Sequence, residues 1–144
     1  MTLNGIVNRV IKPIAEEHLQ LNDFGFGDLA NYAASNTIKY PILWTSFKNV
    51  RYSGKQFRYT LAFVFADICK DDLANELEIQ SDMIQVAADV AAEINNSGFK
   101  DVEFLEEFTL IPFVERFTDL TAGVVMEVVI LSDKLLDPCE VPKK

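Results

Sequence analysis

The sequence predicts an α+β domain, an antiparallel sheet with helices packed on one face in the order α-β-β-α-β-β. Three observations predict it. Apolar residues recur every three or four positions from Leu3 to Leu21, and apolar side chains alternate from Phe57 to Asp67. A helical stripe from Met83 to Ile94 then precedes two further segments rich in β-branched and aromatic residues.

The first helix rests on Leu3, Ile6, Val7, Val10, Ile11, Ile14 and Leu19, with Pro13 either kinking it or marking its true start. It must stop before Asn22-Asp23-Phe24-Gly25-Phe26-Gly27-Asp28, where glycines and aspartates favour a turn. Tyr40 to Phe47 reads as a strand whose Pro41 suits an edge or a strand start. Lys48 to Gln56 is polar and turn-rich. Phe57, Tyr59, Leu61, Phe63 and Phe65 then face one side of a second strand, which closes a hairpin with the first. Ser81 is a suitable N-cap for a helix running to about Asn96, carried by Met83, Ala87, Val90, Ala91 and Ile94 and stopped by Ser97-Gly98. Val102 to Leu110 and Ala122 to Leu131 form the second strand pair, around a loop at Pro112 to Thr121. Residues 1–131 make one domain. Residues 132–144, with Pro138 and Pro142, make a tail that extends along the surface or onto a neighbour.

Composition narrows the function classes. At 144 residues and 49% hydrophobic, with 11 phenylalanines, the chain can offset its ordering entropy and should bury roughly 70% of its unfolded surface. The longest apolar run, Gly123 to Leu131, is far short of a bilayer span and is broken by Glu127, so no membrane association is expected. The N-terminus lacks a secretion signal, so synthesis in the cytoplasm is expected, and Cys69 and Cys139 read as free thiols. A net charge of -9 opposes tight binding to DNA.

No residue pattern calls for a catalytic centre, a metal or a cofactor. His18 is the only histidine, which excludes multi-histidine metal sites; its expected role is to complement the end of its helix. Gly25-Phe26-Gly27 follows a helix and lacks the third glycine or lysine of a phosphate loop. Either Phe24 and Phe26 fold back onto the core or they anchor a partner, and the two readings differ in exposure. Asp67, Asp71, Asp72, Glu76, Glu78 and Asp82 lack the spacing of a calcium loop and read as a solvated acidic surface. Trp44, inside a strand, is expected in the core. Lys48, Arg51, Lys55 and Arg58, interleaved with Tyr52 and Phe57, form the one basic and aromatic cluster, either a solvated hairpin or a finger for an acidic neighbour.

Two stretches carry a resemblance: His18-Leu19-Gln20-Leu21-Asn22-Asp23-Phe24-Gly25-Phe26-Gly27-Asp28 followed by Tyr40-Pro41, and Leu120-Thr121-Ala122-Gly123-Val124 with Cys139 and Pro142 beyond it. With Ser81-Asp82-Met83 they resemble small virion proteins of tailed phages of Bacteroides-type bacteria, including the crAss-like group. The element order is similar to that of the tail-terminator and tail-completion family, whose members form hexameric or dodecameric rings between portal and tail. The resemblance implies a non-enzymatic ring subunit of the virion, partnered by copies of itself and by portal, connector and tail proteins, with genomic DNA passing through the lumen. An acidic lumen would repel DNA and let it slide. On this reading Phe24, Phe26, Lys48, Arg51, Tyr52, Lys55, Arg58, Leu135 and Leu136 are the expected subunit contacts. An accessory domain that binds a small ligand or a protein outside the virion is the alternative, and a hydrolase using acidic residues ranks behind both.

Overall fold

The computed structural model describes residues 1–34, 37–70, 74–116 and 120–144. Its class is α+β, as the sequence predicts: two long helical segments lie against one face of a mixed, six-stranded sheet.

The N-terminal helix starts at Leu3 and continues through Pro13 to Glu17, so the proline neither begins nor ends it. Thr2 caps it, its hydroxyl accepting from the Gly5 N–H at 3.1 Å. Between two α-helical stretches, Leu3–Gly5 and Lys12–Glu17, residues Ile6–Ile11 are π-helical. The wider turn ends just before Pro13, where a regular α-helix would meet the proline ring and lack a donor. Ile6, Val7, Val10, Ile11 and Ala15 are buried beneath it.

The segment expected to be a turn is instead strand β1, Asp23–Phe26, and it pairs in parallel with β2, Ile42–Ser53. This corrects the purely antiparallel sheet. Between the two strands the chain crosses the far face of the sheet through a short helix, Leu29–Ala34, and so returns in the same direction. Tyr32 of that helix is buried against Trp44, with ring centroids 5.6 Å apart, above Ile42, Val64 and Ala66. Helices therefore occupy both faces, not one.

Strands β2 and β3, Gln56–Ile68, form a long antiparallel hairpin. Its turn is only Gly54 and Lys55, both left-handed at φ 60° and 62°. A two-residue turn of this kind follows the strand twist, so Asn49 to Gln56 stays paired up to the tip, with Lys48 bulged out of the ladder between Phe47 and Asn49. On the helix-facing side Leu61, Phe63 and Phe65 oppose Val128, Met126 and Val124 of β6, Leu120–Asp133.

The long helix, Glu76–Asn95, begins a turn earlier than Ser81 because Ile79 is part of the buried stripe with Met83, Val86, Ala87, Val90, Ala91 and Ile94. Asn75 precedes it without capping it; its side-chain oxygen accepts from the Lys70 N–H at 2.8 Å. The single strand expected from Val102 to Leu110 is split. Strands β4, Val102–Phe104, and β5, Thr109–Arg116, follow one another along the same edge of β6. Pro112, expected in a loop, lies inside β5, where an edge position tolerates its missing donor. Part of that expected loop, residues 117–119, lies outside the described residues. The strand order is β1-β2-β3-β6, with β4 and β5 beyond β6.

Candidate assembly interface

Pairing of β1 with β2 stops at Thr45, opposite Phe26. From residue 46 to the tip at Gly54 the outer edge of β2 has no strand beside it among the described residues. This free half, with the facing half of β3, forms an arm that carries Lys48, Arg51, Tyr52, Lys55 and Arg58, all exposed.

Strand register sorts these side chains. Arg51 and Arg58 face each other directly across the hairpin, in line with Thr60, Ala62 and Val64, so they lie on the side away from the two long helices. Tyr52 opposes Phe57 on the helix side, with ring centroids 5.6 Å apart, and the row continues through Phe57–Tyr59 at 5.9 Å and Phe47–Tyr59 at 6.5 Å. The expected cluster is thus brought onto one arm but divided between two faces. None of its four cations makes an ion pair among the described residues.

Phe24 and Phe26 divide the two readings between them. Phe24 packs on the core, whereas Phe26 is 45% exposed. Gly25 lies opposite Trp44, and the Trp44 indole N–H donates to the Gly27 carbonyl at 3.1 Å. The glycines therefore seat the buried Trp44 and form no phosphate loop. In the tail, Lys134 returns to the arm, donating its N–H to the Lys55 carbonyl at 2.9 Å and accepting from the Tyr52 hydroxyl at 2.9 Å. Leu135 and Leu136 then stand exposed beside the tip, and the chain closes with a short 3-10 turn, Pro138–Glu140. Arm and tail are brought together at one end of the sheet, while Phe26 lies where the arm begins.

Sequence reasoning missed exposed Phe47 and Val50 on the arm, and Leu77 and Ile84 on the outer side of the long helix. Leu77 and Ile84 stand seven residues apart and off the buried stripe, a spacing that marks them as a second helix face.

His18 ends the N-terminal helix and reaches across to the long helix, its Nε2 2.9 Å from Oδ2 of Asp89. Its Nδ1 accepts from the Gln20 N–H at 3.1 Å, which leaves Nε2 as the donor to Asp89. The groove beside this pair, about 550 Å3, is lined by Ile14, Glu17, Leu19, Gln20, Ala92 and Glu93 as well, and offers no hydroxyl, thiol or amine. Among the described residues no three His, Cys, Asp or Glu side chains converge as metal ligands do. Asp71 and Asp72 of the acidic run lie outside the described residues. Burial pushes the Asp67 carboxyl up; a hydrogen bond from the Ile68 N–H opposes the rise, and the charge of Asp82 adds to it. Cys69 is buried and Cys139 exposed, both as free thiols. No helix of the described residues is long and apolar enough to cross a membrane.

No family model matches the chain, and no curated protein matches it in sequence.

Proposed function

We propose that this chain is a structural virion protein of a tailed phage, a tail-terminator-like ring subunit in the neck or tail that joins portal or connector to tail and surrounds the DNA channel. The observation that carries this reading is the free half of β2. It is a long sheet edge flanked by exposed Phe26, Phe47, Val50 and Tyr52, apolar and aromatic side chains that contact with another chain would take out of water. Lys48 and Arg51 on that edge repel a second identical edge, which favours contact with an unlike surface. A head-to-tail contact of that kind closes into a ring. The resemblance at His18–Asp28 and Leu120–Val124 supplies the virion context. In this role the protein is made in the host cytoplasm, needs no cofactor and performs no catalysis.

Mass spectrometry of purified virions and mass photometry of the isolated protein test the reading. The protein is expected in the virion, at the neck or tail, and as hexameric or dodecameric particles at high concentration. Absence from the virion overturns it. The open groove beside His18 favours a second reading, an accessory domain that binds a ligand or protein outside the virion, for which a stable monomer with a saturable ligand is the expected finding.

A further inference from the structure

Two surfaces of this molecule carry unbalanced charge of opposite sign. On the arm, Arg51 and Arg58 are direct cross-strand partners, and like charges so placed repel. On the long helix, which contains five carboxylates and no lysine or arginine, Glu78–Asp82 and Asp89–Glu93 are like-charge pairs four residues apart, which also repel. Asp89 has His18 beside it. Glu78, Asp82, Arg51 and Arg58 make no ion pair among the described residues.

The two surfaces cannot meet within one chain. The long helix packs on the face formed by Leu61, Phe63 and Phe65, and its carboxylates point outward from there. Arg51 and Arg58 lie on the opposite face. A second copy can bring them together.

We propose that the Arg51 and Arg58 face of the arm of one copy lies across the outer side of the long helix of the next, over Glu78 and Asp82. The contact rests on the ring reading above and names its bonding surfaces. Each guanidinium supplies forked donors to a carboxylate. Four residues apart and both exposed, Glu78 and Asp82 share one flank of the helix, within reach of the paired Arg51 and Arg58. Because the arm and the helix are different surfaces, the contact is heterologous and passes from copy to copy.

The test uses the full chain in three forms: wild type, Arg51→Glu with Arg58→Glu, and Glu78→Lys with Asp82→Lys. Assembly is read by mass photometry, and folding by thermal melting. Each reversed form is expected to keep its melting temperature and to assemble about tenfold or more weakly, and an equimolar mixture of the two should regain wild-type assembly. Arg51→Gln with Arg58→Gln serves if the reversed arm does not fold, and should weaken assembly in the same direction. Reversed forms that assemble as wild type does, or a mixture that stays apart, overturn the contact and leave the ring reading standing. A wild-type chain that is monomeric throughout overturns the contact, and the ring reading is then decided by virion mass spectrometry alone.

Discussion

A Cβ built on Gly25 would lie 2.2 Å from Cε3 of Trp44, so the indole occupies the place a side chain would need. Gly25→Ala therefore forces Trp44 off its seat against Tyr32 and off its hydrogen bond to the Gly27 carbonyl. A loss of about 1–3 kcal/mol, as for overpacking elsewhere, is expected from denaturant melts; an unchanged midpoint would mean that the indole has room to move. Asp67 offers a different test. Its native pKa is raised by burial first, so the ionised form is the one the fold disfavours. The stability it contributes is present at acid pH, below its unfolded pKa, and is lost as pH rises through the raised native value. Asp67→Asn keeps an acceptor for the Ile68 N–H and removes the ionisation. A higher melting temperature than wild type is expected at neutral pH, with the difference closing as the buffer is acidified. At this scale the candidate interface was partly legible. Side-chain chemistry marked the arginines, lysines and exposed Phe26, but composition alone could not separate Phe26 from Phe24, which differ only in what stands over them.

Neighbouring residues of the long helix have opposite duties. Met83 is 2% exposed in the core and Ile84 is 40% exposed on the outer side. Met83→Ala should cost about 2–4 kcal/mol in a denaturant melt, as other large-to-small core changes do. Ile84→Ser should cost clearly less, about 1 kcal/mol, since 40% of the side chain already stands in water. If Ile84→Ser unfolds the chain as readily as Met83→Ala, this helix face is not a free surface. The helix, the β2–β3 hairpin and β6 were legible because each has one buried and one wetter side, and that contrast writes a period into the sequence. Strand β1 was not: four residues with a glycine for Trp44 give too short a pattern, and glycine otherwise signals a turn. The β2 half of the arm, Lys48 to Gln56, reads as a turn-rich segment because Lys48, Arg51 and Lys55 lie beyond the core, where no apolar alternation is required. Pro112 misled for a similar reason, since only the edge position of β5 makes a proline acceptable there.

Across the whole molecule, two electrostatic effects act on the meeting of copies and have opposite sign. Each chain carries a net charge of -9, which drives copies apart. The arm, with Lys48, Arg51, Lys55 and Arg58, attracts the carboxylates of a neighbouring long helix. The two act over different distances. Net repulsion works between bodies tens of ångströms apart and is largely screened once the Debye length falls from ~30 Å at ~0.01 M salt to ~10 Å at ~0.1 M. A guanidinium in contact with a carboxylate at ~4 Å survives that screening and weakens only toward ~1 M, where the Debye length is ~3 Å. Assembly is therefore expected to strengthen from very low to moderate salt and to weaken again at high salt, giving a maximum in the particle mass measured across a salt series. Reversing Arg51 and Arg58 to glutamate should remove the falling limb, since only the net repulsion would remain to be screened. A monotonic rise for the wild type would mean that apolar contacts, such as those of Phe26, Val50 and Leu135, hold the copies together without help from the arm's charge.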